Sequence, residues 1–217
     1  FKELNWAFMK SLPCGDSTRP DGFYNLAAHF PVNALRPDLG PKMYISHASV
    51  HEGIHVGSTW LHLDVAAAVN IMLWAGCDDD GKPGCARWLI FAPDDRERLR
   101  CFLRRKLDVA QDVDPLLAQN VFVDDEMVEE LTAEGIRVHK IAQYPGVAVF
   151  IPPGAPHQVS NAVDASKIAV DFVPPESLED IQQLMREFRK DRLTPTATVD
   201  DDLLRLSATV WYAWLSI

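Results

Sequence analysis

Fourteen residues, HEGIHVGSTWLHLD at positions 51 to 64, carry two overlapping metal-binding patterns. His51, Glu52 and His55 match H-E-x-x-H, in which two histidines one helical turn apart hold zinc and the glutamate activates a water. His62 and Asp64 form a His-x-Asp pair, which supplies two ligands of a non-haem iron centre and needs a third from elsewhere. The first pattern requires a helix and the second a strand. Gly53 and Gly57 each cost about 1 kcal/mol against alanine in a helix, and no third zinc ligand follows at a recognisable spacing, so 51–57 reads as a loop. TWLHLDV, in contrast, is β-branched and aromatic. Alternation sends His62 and Asp64 to one face, and Leu61, Leu63 and Val65 to the other. Taken alone, such a pair is more often an inward-facing His and Asp that only hydrogen-bond each other.

The third ligand is expected at His157, within GVAVFIPPGAPHQVSN. There an apolar strand enters a Pro-Pro-Gly-Ala-Pro turn, and the histidine opens the next strand from that stiff support. Two histidines and a carboxylate from separate segments make a facial triad, which leaves three positions on Fe(II) for a co-substrate and O2.

The elements that must hold these residues are mostly strands. Short apolar or alternating runs bounded by Gly and Pro occur at KMYIS, TWLHLDV, VNIMLWAG, RWLIFA, GVAVFIP, HQVSN and KIAVDFV. Helical patterns occur at the N-terminus (FKELNWAFMK), at DDRERLRCFLRRKL, at DDEMVEELTAEG, at PESLEDIQQLMREFRKD and at DDDLLRLSATVWYAWL. The expected fold class is mainly β with flanking helices. We expect one domain over 1–217, with a helical lead-in at 1–18 and a helical cap at 175–217, forming a piece of a longer protein.

At 217 residues the chain can bury roughly 70% of its unfolded surface. Its net charge of −10 disfavours binding along nucleic-acid phosphates and suits a basic peptide. Cys14, Cys77, Cys85 and Cys101 include no C-x-x-C pair, which points to a reducing compartment, cytosol or nucleus. No apolar run reaches 18 residues and the first ten residues lack a signal-peptide layout, so no membrane contact is expected.

RPDLGPKMY, GSTWLHLDVAAAVNIMLWAG, VFIPPGAPHQVSN and KIAVDFVPPESL, in this order, resemble the JmjC oxygenases, specifically the subfamily that demethylates lysine nine of histone H3. The resemblance spans about residues 19 to 190 and weakens between 108 and 140. It implies a double-stranded β-helix of the jelly-roll or cupin kind, with Fe(II) and O2, and 2-oxoglutarate as co-substrate. His62, Asp64 and His157 fall on the iron-ligand positions, where they are the catalytic metal site. Thr59 falls on a hydroxyl that binds the distal carboxylate of 2-oxoglutarate in many members; an ideal pleat would put Ser58 and Trp60 on that face instead, so Thr59 needs a bulge.

Many relatives place a lysine where this chain has Asp79, which would repel the co-substrate. Lys82 lies in the same loop, three residues later. Lys167, ten residues after His157, sits where related oxygenases place a basic anchor, and it is the expected cofactor-binding cation. Tyr44 and Trp60 are candidates to line a methyl-lysine pocket, although core packing accounts for Trp60 as well. Asn70, Asn161 and Asp171 lie within possible reach of the iron or co-substrate.

The implied activity is oxidative demethylation of mono- or dimethylated lysine on a histone H3 tail, by a nuclear chromatin protein that does not itself read nucleic-acid sequence. Two alternatives stand beside it: a catalytically silent JmjC module that binds chromatin partners, motivated by Asp79, and a JmjC hydroxylase acting on another protein side chain.

Overall fold

The computed structural model describes residues 2–51, 54–55, 59–78, 80–110, 112–193 and 204–216. Along the chain these form α1 (Lys2–Ser11), α2 (Gly15–Thr18), β1 (Lys42–Ser46), β2 (Val50–His51), β3 (Ile54–His55), β4 (Thr59–His62), β5 (Ala67–Ala75) and β6 (Ala86–Phe91). Then come α3 (Arg96–Leu107), α4 (Asp125–Ala133), β7 (Val138–Gln143), β8 (Ala148–Ile151), β9 (His157–Asn161), β10 (Ala165–Phe172), α5 (Leu178–Arg192) and α6 (Leu206–Leu215).

Two four-stranded antiparallel sheets face each other, with strand orders β1-β10-β5-β8 and β4-β9-β6-β7. Their neighbours are distant in sequence, as expected when two sheets wind round one core. Between them lies an apolar layer of Ala68, Met72, Ala86, Trp88, Ile90, Val149, Ile151 and Val159. The outer face of the second sheet is covered by a larger cluster in which Leu61 of β4 and Phe91 of β6 meet Leu99 and Phe102 of α3, Leu131 of α4, and Leu184 and Phe188 of α5. The first sheet is covered in part by Leu12 with Phe8 and Met9 from α1, packed on Val69 and Val170.

Buried amides join these layers. Gln143 accepts from the Trp88 indole at 2.9 Å and donates to the Asn70 carbonyl at 2.9 Å, which links the two sheets through a side chain with no solvent exposure. Gln158 both donates to and accepts from the backbone of Val123, holding the segment before α4 against β9. Each bond leaves a buried polar group satisfied, and its loss would expose a penalty of about 1–3 kcal/mol.

Most expected strands and helices appear where the patterns placed them. VHKIAQ, now β7, carried no strand signal because its polar residues, His139, Lys140 and Gln143, fall on both faces and break the apolar alternation, and only Gln143 is buried. In the C-terminal pattern the described helix starts at Leu206, behind Arg205 at φ 48°. None of the described helices is long and apolar enough to cross a membrane.

Candidate metal centre and its cavity

His62 closes β4, and the strand ends there rather than running through Asp64. Asp64 follows in irregular backbone and is held from the other side, where the Gly154 N–H donates to its carbonyl at 2.8 Å. That bond ties it to the Pro-Pro-Gly-Ala-Pro turn carrying His157. Gly154 has φ +66°, and a Cβ there would lie 2.4 Å from Arg96 Nη1 and 2.7 Å from Leu184 Cδ1. Both the turn's handedness and its tight packing therefore require glycine. His157 then pairs directly with His62 across β9 and β4.

The two rings sit 4.3 Å apart between centroids, and one nitrogen or oxygen from each of His62, Asp64 and His157 lies within 4.8 Å of the others. His62 Nδ1 lies 2.7 Å from the Trp60 carbonyl and His157 Nδ1 lies 2.9 Å from the Ala155 carbonyl. A carbonyl only accepts, so each Nδ1 carries the proton and each Nε2 keeps its lone pair for the centre. His157 Nε2 is 3.7 Å from Asp64 Oδ2. Burial, and then the proximity of His62, push the His157 pKa down to about 4 against the opposing pull of Asp64. The ring is thus neutral, as a metal ligand must be. Two imidazole nitrogens and one carboxylate oxygen on one side of a cavity fit the donor set of a non-haem Fe(II) centre with open positions.

This triad opens into a cavity of about 370 Å³ between the sheets, lined also by Lys42, Tyr44, Thr59, Asn70, Trp88, Lys167 and Asp171. A larger hollow of about 770 Å³ on the other sheet, lined by Arg87, Leu89, Phe122 and Lys140 among others, contains none of the three triad residues.

Thr59 reaches the cavity through a bulge. Thr59 pairs with Val159 and His62 with His157, so three steps on β4 oppose two on β9. The extra residue reverses the pleat between them. Trp60, which ideal alternation placed on the ligand face, is instead 44% exposed and lines an open surface hollow with Gln119 on the outer side of Thr59 and His62. It belongs neither to the core nor to the cavity.

Lys167 points inward. It is 5% exposed, and its Nζ donates to Asn161 Oδ1 at 2.7 Å, while Asn161 donates in turn to Ser46 Oγ. Burial lowers the Lys167 pKa to about 8, because among the described residues no carboxylate pairs with it. Lys82, the alternative anchor, is exposed beside Asp80 and lies outside the cavity. Asp79 lies outside the described residues, as do Ser58 and Glu52. Val50–His51 and Ile54–His55 pair as two antiparallel strands with His51 opposite Ile54, so the backbone there is a ribbon rather than the helix that H-E-x-x-H needs.

Lys42 carried no signal in the sequence reading, yet it lines the cavity and forms an ion pair with Asp171 on β10. Only the β1–β10 register, Lys42 opposite Ala169, brings them diagonally together on one face. Trp88 also escaped notice as more than core. Its ring stacks on His157 at 6.0 Å, and Lys167 Nζ sits 6.0 Å above it.

Facing antiparallel sheets with outer helices and a two-histidine, one-carboxylate cluster between them define a cupin-like double-stranded β-helix. Residues 81–172 match the JmjC domain, a hydroxylase family. The chain is 36% identical over 241 residues to lysine-specific demethylase 3A-A of Xenopus laevis, covering 94% of this chain and 18% of that protein. It is 36% identical to lysine-specific demethylase 3 of Drosophila melanogaster, over 94% of this chain and 28% of that protein. Identity falls to 30% with the human probable JmjC domain-containing histone demethylation protein 2C, of which the chain spans 9%. This chain belongs to the JmjC family. It spans less than a third of the length of these relatives.

Proposed function

We propose that this domain removes methyl groups from lysine on a histone H3 tail, with lysine nine in its mono- or dimethyl form as the target. The observation that carries this reading is one cavity holding both a two-histidine, one-carboxylate cluster and a buried lysine that has no acidic partner among the described residues. The relatives named as lysine demethylases, and the one named for histone demethylation, support the same assignment. A nuclear, chromatin-associated setting goes with that substrate.

In this reading His62, Asp64 and His157 hold Fe(II), and Lys167 with Thr59 holds the distal carboxylate of 2-oxoglutarate. The loaded centre supplies oxidation of a C–H bond by O2, coupled to conversion of 2-oxoglutarate to succinate and CO2. The methyl carbon, once hydroxylated, leaves the amine as formaldehyde, and the lysine nitrogen keeps the proton.

The chain's own residues bind, orient and exclude water. Carbonyls behind the two histidines hold the Nε2 atoms on the cavity side. Asn161 fixes the Lys167 ammonium by accepting one of its protons, and leaves the others for an anion. An anionic ligand relieves the cost of burying that charge, which in a low-dielectric site amounts to several kcal/mol. Trp88 and Ile151 wall the cavity against solvent.

The test is mass spectrometry of mono-, di- and trimethylated H3-tail peptides incubated with the protein, Fe(II), ascorbate and 2-oxoglutarate. Loss of 14 Da per methyl group, dependent on both Fe(II) and 2-oxoglutarate, is the expected result. A gain of 16 Da that persists on a non-lysine side chain would reassign the domain as a hydroxylase. No change in any peptide, with 2-oxoglutarate unbound, would make it a silent module.

A further inference from the structure

The cavity has a second charged group that the proposed chemistry does not use. Asp171 projects from β10 into the same space as His62 and Asp64, and its side chain is only 15% exposed. It is held by Lys42 Nζ at 2.5 Å, from a side chain that is 43% exposed. Among the described residues β1 is the outer strand of its sheet, paired with β10 alone. The lysine can therefore turn out to water while the carboxylate cannot. Beside the pair stands Tyr44, whose aromatic ring faces the same cavity.

From this arrangement we infer that Asp171 receives the methylated ammonium of the substrate, and that Lys42 occupies its position as an internal stand-in which the substrate displaces. The inference rests on the lysine-demethylation reading and names the residue that selects the substrate's charge. Exchanging one ammonium for another keeps the buried carboxylate compensated throughout, which avoids leaving a charge bare in the cavity. Tyr44 adds an aromatic surface for the N-methyl groups. The chemistry also sets a preference among methylation states. A mono- or dimethylammonium keeps an N–H and can donate a charge-assisted hydrogen bond to Asp171; a trimethylammonium has none to give. The cavity is built for the lower states.

The test is calorimetric binding of H3-tail peptides to protein supplied with Fe(II) and 2-oxoglutarate under anaerobic conditions, with dimethyl-lysine, trimethyl-lysine or neutral norleucine at the target position. Asp171→Asn is expected to weaken the dimethyl peptide about tenfold, the trimethyl peptide less, and the norleucine peptide hardly at all. Lys42→Met is expected to tighten the dimethyl peptide severalfold by removing the competitor. The double variant Lys42→Met with Asp171→Asn, which leaves no bare charge, should lose discrimination between dimethyl-lysine and norleucine, and covers the case in which Lys42→Met alone fails to fold.

Equal shifts for the dimethyl and norleucine peptides with Asp171→Asn, or weaker dimethyl binding with Lys42→Met, would overturn the inference and make the pair a tie between strands. Formaldehyde release from the same peptides under air separates the two readings. Charge discrimination without formaldehyde keeps the ammonium site and removes demethylation; formaldehyde without charge discrimination does the reverse.

Discussion

Lys42 and Lys167 stand on neighbouring antiparallel strands, line one cavity and meet opposite electrostatic conditions. Burial works against the Lys42 charge, but the attraction of Asp171 outweighs it and raises its pKa. Lys167 is buried more deeply, has the neutral Asn161 as its hydrogen-bond partner among the described residues, and falls to about 8. One end of the cavity is thus internally neutralised, and the other holds a positive charge without its counter-ion. Neutralisation suits an end where one cation is exchanged for another. An uncompensated ammonium suits an end where an anion must arrive, and the triad lies where both ends can reach it.

The largest effect is expected from removing the centre that both ends serve. His62→Ala should abolish metal binding in a titration of the purified protein and with it all turnover, while His51→Ala with His55→Ala leaves both nearly intact. Zinc retained by His51 and His55 in the His62→Ala protein would return the metal to the H-E-x-x-H pattern.

At the cationic end, Lys167→Ala should raise the KM for 2-oxoglutarate by one to two orders of magnitude, from about 1.5–3 kcal/mol of charge-assisted bonding. Metal binding should persist. The matching Lys82→Ala protein should be unchanged; a raised KM there, with Lys167→Ala silent, would move the anchor to the loop.

The depressed Lys167 pKa adds a pH signature. Between about 8 and the ordinary lysine value of 10.5 the unfolded chain holds this proton and the folded, unliganded chain does not, so this group makes stability rise with pH across that window. A bound carboxylate pulls the proton back. The Kd for 2-oxoglutarate should therefore rise by up to about tenfold per pH unit above about 8. Isothermal titration at several pH values checks this, and a pH-independent Kd would mean that Lys167 does not face the anion.

The smallest effect concerns the surface rather than either end. With a net charge of −10, binding of a Lys/Arg-rich peptide should weaken as ionic strength rises and the Debye length shrinks from about 10 Å at 0.1 M to about 3 Å at 1 M. Fluorescence anisotropy across that range measures it; an affinity indifferent to salt would count against a basic tail.

Gly154 shows how local and global requirements meet at the triad. The Pro-Pro-Gly-Ala-Pro stretch was legible as a stiff turn, because proline and glycine restrict the backbone through bonds to near neighbours. That the same glycine must also clear Arg96 and Leu184 depends on α3 and α5 packing against it, which no local pattern reports.

Residue type, spacing and the family resemblance singled out His62, Asp64 and His157, which the fold brings together, and residue patterns placed most strands and helices and favoured strand over helix in TWLHLDV. The patterns rest on short-range geometry, namely alternation, turn chemistry and the cost of glycine in a helix, although Asp64 itself lies past the end of β4. Folding alone decided that a bulge in β4 brings Thr59 inward and turns Trp60 out, that Lys167 faces the cavity, and that Lys42 meets Asp171. These are matters of register between strands. A one-residue slip exchanges the two faces of a strand, and the pairing that sets it joins residues more than a hundred positions apart, such as Lys42 and Ala169.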